Sequence, residues 1–188
     1  MERYLRIVGG TVLWRRSFQV ASWLMPFAYA GVAAWAAFDG FTGTDPEALR
    51  GAAMLLVVGV VTYAFVRSRV HLVPSGVVVI NLITWREIPY SLLHKAEAGP
   101  GRGLAIYVRG VPEEDSEIHS IGFAGSLVDR RFRTAEKAAK QINKAKKRGR
   151  SASSSDAVVR RGVVRDPVVE LFVVTAVGLA IASLFIGP

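Results

Sequence analysis

The sequence predicts a membrane protein with α-helical spans plus a soluble β domain. That domain is expected to be a small barrel or sandwich of about six or seven strands with one C-terminal capping helix. Three observations predict it. Apolar residues lie in long charge-free blocks at 17–38, 51–66 and 171–188. Between the second and third blocks the pattern changes to short β-branched runs divided by turn residues. Those runs are followed by one strongly amphipathic helical stretch.

The composition sets limits on the chemistry. The 188-residue chain is 51% hydrophobic, yet Lys and Arg total 24 against 15 Asp and Glu, for a formal net charge of +9. The charge excludes a purely hydrophobic bundle, and the apolar content excludes a disordered basic tail. With no cysteine, a disulfide framework, a zinc-thiolate site, an iron–sulfur cluster and a thiol nucleophile are all excluded.

A basic segment, 1–16, comes first, with Arg3, Arg6, Arg15 and Arg16 against Glu2. The 17–38 block then rises about 33 Å as a helix, enough for a hydrocarbon core of about 30 Å. A second span is expected over 49–66, where Arg50 and Arg67 can snorkel to the interface. The loop 39–48 carries Asp39, Asp45 and Glu47. The third span covers 167–188, with Pro167 suited to open it and Glu170 in a first turn where the helix dipole favours an anion. Residues 67–166 hold 19 basic and 10 acidic side chains. The positive-inside rule therefore places 1–16 and 67–166 in the cytoplasm and 39–48 outside, in a multi-pass plasma (inner) membrane protein. Arg15-Arg16-Ser17-Phe18 also resembles the core of a twin-arginine export signal, with Ala34-Trp35-Ala36 as a cleavage site. A permanent span is favoured because a second one follows at once.

The β domain is expected over 67–148. Val70 and Leu72 alternate with polar neighbours, Pro74-Ser75-Gly76 is a turn, and Val77–Leu82 reads as a buried strand. Thr84–Ile88 and Leu92–Ala98 follow, then a Gly99–Gly103 turn. In the next strand Leu104, Ile106 and Val108 share one face; Glu113-Glu114-Asp115 marks a charged turn before Glu117–Phe123. In the helix, Phe132, Ala135, Ala138, Ala139, Ile142 and Ala145 form one face, opposite Lys137, Lys140, Lys144 and Lys147. Thr134 suits the N-cap and Gly149 the stop. Residues 149–166 read as a flexible basic linker.

Strands closed by one C-terminal helix are the order of a pleckstrin-homology-like (PH-like) domain. Two N-terminal spans, then Val73-Pro74-Ser75-Gly76-Val77-Val78-Val79-Ile80-Asn81, Trp85 and Ile88-Pro89-Tyr90, resemble the bacterial PH-like domain of the low-molecular-weight protein antigen six family. That family occurs mainly in actinobacterial membrane proteins. The resemblance covers about residues 50–147 and implies a PH-like fold in a membrane protein. It does not carry a phosphoinositide site: lipid-binding PH folds place basic residues around the first strand turn, and Pro74-Ser75-Gly76 has none.

No catalytic, cofactor or metal set emerges. Gly99–Gly103 lacks the Lys-Ser pair and the helix of a phosphate loop. His71, His94 and His119 lack zinc-ligand spacing. Asp129, Glu113, Glu114, Asp115 and Glu117 have no partner base. The chain is therefore read as not an enzyme. The strongest functional signal is the basic tract 130–150, ten cations against Glu136 alone. Its candidate contact residues are Arg130, Arg131, Arg133, Lys137, Lys140, Lys144, Lys147 and Arg148, meeting either anionic lipid headgroups or an acidic protein partner. Without interleaved aromatics, nucleic acid is not expected. Arg150-Ser151-Ala152-Ser153 fits a basic-directed phosphorylation pattern that would offset this charge. The function expected is an adaptor or scaffold at the inner membrane face. The alternative is an accessory subunit of a transport or envelope-assembly complex, packing through Gly31, Ala34, Gly59 and Gly178.

Overall fold

The computed structural model describes residues 10–43, 45–99, 103–123, 133–149 and 158–186. In chain order these form β1 (Thr11–Leu13), α1 (Arg16–Gly43), α2 (Pro46–Arg67), β2 (Arg69–Val73), β3 (Gly76–Ile80), β4 (Thr84–Pro89), β5 (Leu93–Gly99) and β6 (Gly103–Val108). There follow α3 (Glu113–Ser116), β7 (Glu117–Ser120), a 3-10 turn at Ile121–Phe123, α4 (Thr134–Gly149), β8 (Arg160–Val163) and α5 (Pro167–Phe185). The chain divides into two units, Met1–Arg16 with Arg67–Val164, and Ser17–Val66 with Arg165–Pro188.

The helical unit holds three helices long and apolar enough to cross a membrane. Its core sets the alanines Ala33, Ala52, Ala53 and Ala176 against Leu56 and Phe172. Gly59 admits close contact, since a Cβ there would lie 3.0 Å from the Tyr29 ring and 3.3 Å from Phe172. Gly31 and Gly178 have nothing within 4 Å of their Cβ positions, and Ala34 is exposed. Of the four small residues expected to pack helices, Gly59 meets another helix directly and Ala34 lines a cavity with Leu56 and Phe172, whereas Gly31 and Gly178 do neither. Trp23, Phe27, Trp35 and Phe38 are each at least 68% exposed. So much outward aromatic surface is costly in water and natural in hydrocarbon. The helices run past the expected spans at both ends of the first connection. Most of 39–48 is therefore helical, and Asp45 Oδ1 caps α2 by accepting from Glu47 N at 2.9 Å. Asp166 does the same for α5, accepting from Val168 N at 2.8 Å beside Pro167.

In the β unit, all pairings are antiparallel and form two sheets, β1-β2-β3-β4-β8 and β5-β6-β7. The six strands between 69 and 120 and helix α4 fall where the residue pattern puts them. β3 is buried along its whole length, as its β-branched run requires: Val77 and Val79 enter the main core, while Val78 and Ile80 join Val73 in a second cluster on the other face. Two short strands correct the sequence reading. Residues 11–13 of the basic N-terminal segment pair with β2, and residues 160–163 of the supposed linker pair with β4. Residues 151–157 lie outside the described residues, and with them the phosphorylation pattern at Ser151–Ser155. The charged turn at Glu113 is a single helical turn, α3. The last strand also stops early: β7 ends at Ser120, and the chain turns 3-10.

Two asparagine amides close the domain. Asn143 on α4 receives Ala96 N at 3.0 Å and donates to Ala96 O at 2.8 Å, so one side chain satisfies the free edge of β5 as a strand partner would. Asn81, just after β3, donates to His119 O and accepts from Ile121 N, both at 3.0 Å, tying the two sheets together. A fully buried backbone group left unpaired costs about 1–3 kcal/mol, which bounds from above the loss at these part-buried or exposed ones.

Candidate functional site

Helix α4 stands on the core through Ala135, Ala138, Ala139 and fully buried Ile142, the apolar face the sequence predicts. Phe132, assigned to that face, lies outside the described residues. Thr134 is not the N-cap but the first helical residue, because Arg133 O accepts the first helical bond, from Lys137 N at 3.0 Å. Arg133 holds this position at φ 50°, a sparsely occupied region for a residue with a Cβ.

The candidate contact residues are not equivalent. Arg130 and Arg131 lie outside the described residues. Arg133 is exposed and sits 3.7 Å from Glu136. Lys137, Lys140, Lys144, Lys147 and Arg148 are exposed, and among the described residues none of them makes an ion pair. Lys146 differs: it is half-buried and donates to His94 O, fastening α4 to β5. Elsewhere some basic groups are matched, while Arg109, Arg160 and Arg165 are exposed and, among the described residues, make no ion pair. Asp115 meets Arg86 at 2.6 Å and Arg161 at 3.8 Å, and Lys95 meets Glu97 at 2.8 Å. The densest group of unpaired cations among the described residues therefore lies on one helix face.

The strand register shows where that face lies within the domain. Leu13 pairs with Val70, Arg69 with Ile80, Ile80 with Trp85, and Thr84 with Val163. One end of the five-stranded sheet is therefore the row Leu13, Arg69, Ile80, Thr84 and Val163. The opposite end carries Thr11, Val73, Gly76 and Pro89. The C-terminal half of α4 lies beside this opposite end. Lys144 and Arg148 form one wall of an open cleft of about 900 Å³, facing Thr11, Val73, Pro74 and Tyr90. The turn Pro74-Ser75 has no cation of its own, but the tertiary fold brings two beside it. No signal in the sequence links Pro74 to residues seventy positions later.

Tyr90, which lines this cleft, is buried, and burial raises its phenol above the usual 10.0. Near the buried side of α4, desolvation, with Arg109, Lys146 and Lys95, holds His94 below 6.5 against the opposing pull of Glu97. His71 accepts from Arg69 Nε at 2.8 Å, and His119 lies 3.4 Å from Glu117. Among the described residues no three His, Asp or Glu side chains are placed to share a metal ion. Gly99 pairs with Gly103 as a hairpin end, with 100–102 outside the described residues. Asp129 lies outside them as well. Glu170 is exposed in the first turn of α5. Compared with family models, curated proteins and solved structures, the chain matches none.

Proposed function

We propose that the chain is a non-catalytic, multi-pass protein of the inner membrane. It holds a cytoplasmic PH-like domain as an adaptor, and the C-terminal half of α4 takes an acidic segment of a protein partner. The PH-like reading is supported by six strands in two antiparallel sheets with a helix after them, β1 and β8 being additions to that pattern. The observation that carries the function is the position of the unpaired charge. The row at Leu13, Arg69 and Val163 leads within a few residues to Arg16, Arg67 and Pro167, where the three apolar helices begin or end. Lys144 and Arg148 lie at the other end of the sheet. Over the five residues of β2 that separation is about 14 Å. It exceeds the Debye length of about 8 Å at physiological ionic strength. The charge densest on this helix thus lies at the end of the sheet away from these chain connections, which supports a soluble acidic ligand over lipid headgroups.

The test uses the full chain in nanodiscs of neutral phosphatidylcholine and a fluorescent poly-glutamate peptide. Lys144→Glu with Arg148→Glu lowers affinity about tenfold or more, the loss expected when charge-assisted contacts reverse sign. Arg160→Glu with Arg161→Glu, on β8, leaves it unchanged. Equal losses in both variants, or none in either, would refute the site.

A further inference from the structure

The end of the five-stranded sheet that leads into the spans carries apolar side chains the fold does not cover. Ile83, in the turn between β3 and β4, is 61% exposed, and Val163, at the end of β8, is 69% exposed. They are one feature of the fold, since Val164 N donates to Ile83 O at 2.8 Å and Val163 pairs with Thr84. Leu82 beside them is half-buried. The same row bears two tryptophans: Trp85 on β4, and Trp14, over which the Arg69 guanidinium lies at 5.2 Å. An apolar tip flanked by Trp and Arg is the side-chain set of the membrane–water interface, where ring edges and guanidinium groups remain hydrated while the apolar parts enter the acyl boundary.

We propose that this row, with Ile83 and Val163 at its apex, inserts into the headgroup region of the bilayer. The chain itself argues for lipid as the occupant. Arg69 follows the last residue of α2 by two positions, and Val163 precedes the first residue of α5 by four. Even fully extended, four residues reach only about 14 Å. The polar headgroup layer on one side of a bilayer is about 5–8 Å thick. The β3–β4 turn has no covalent link to a span, yet the register places it on the same row. Its exposed isoleucine would otherwise face water. Insertion would hold the domain in one orientation, with the turn at Pro74 and the end of α4 turned away from the lipid. The proposal shares the membrane-proximal placement of this row with the functional reading and is independent of what α4 binds.

The absence of cysteine from the chain makes the test direct. Single variants Ile83→Cys, Val163→Cys, Ser75→Cys and Lys147→Cys of the full chain are labelled with an environment-sensitive fluorophore. They are reconstituted in phosphatidylcholine vesicles containing a lipid with a spin label just below the headgroup. Labels at 83 and 163 are expected to shift to the blue and to show severalfold more quenching than those at 75 and 147. Two independent positions guard against one variant that fails to fold. Quenching at 83 and 163 no greater than at 75 and 147 would overturn the proposal. So would a label at 83 shielded from both the lipid quencher and aqueous iodide, since protein would then cover the tip.

Discussion

Ile142→Ala is expected to release helix α4 from the domain. Every other residue buried on that helix is an alanine, and Ile142 is fully buried in the main core. Truncating such a side chain removes its transfer energy and leaves a cavity, about 2–5 kcal/mol in total. Besides the alanine face, the Asn143 amide on Ala96 and Lys146 on His94 O remain, and these hold an edge but bury little apolar area. Amide hydrogen exchange of the full chain in detergent micelles should show faster exchange across α4 and β5 together, with α1 and α2 unchanged. Unaltered protection of 135–146 would show that the alanine face is enough. The same variant should also weaken poly-glutamate binding, because the cleft loses the wall that carries Lys144 and Arg148.

Gly122→Val should be equally damaging, for a steric reason. A Cβ at Gly122 would lie 2.2 Å from Ser68 O and 2.7 Å from Ser68 C, so backbone meets backbone and no side chain can turn aside. Ser68 is the residue between the last of α2 and the first of β2. The substitution must push the 3-10 turn off β2, taking with it the Asn81 bond to Ile121 N. A cost of about 3 kcal/mol is expected, the upper part of the usual range for overpacking. Gly178→Ala on α5, where nothing stands within 4 Å, is the control and should melt no lower than the parent chain. A Gly122→Val melting temperature equal to that of the control would contradict this account of how the two sheets join.

The elements legible in the sequence are those whose pattern is local. β3 shows in its β-branched run, β6 in the alternation of Leu104, Ile106 and Val108, and α4 in the opposition of alanines and lysines. β1 and β8 were not legible for the opposite reason. Thr-Val-Leu and Arg-Arg-Gly-Val are too short to show a period, and each is a strand only because a partner strand lies alongside. Asp115 illustrates how β8 is held: its carboxylate meets Arg86 on β4 and Arg161 on β8. The basic face of the candidate site was legible residue by residue. Its position was not, because only the tertiary fold brings Lys144 and Arg148 into one cleft with Pro74. Likewise, nothing about Asn81 or Asn143 in sequence indicates which backbone groups their amides satisfy.

Whether the C-terminal end of α4 meets a protein, as proposed, or the bilayer is decided by placing a photo-crosslinking amino acid at residue 148 of the full chain and irradiating native membranes. Adducts with protein that disappear when Lys144→Glu is added are expected. Adducts dominated by anionic phospholipid, and insensitive to Lys144→Glu, would rule out a protein occupant.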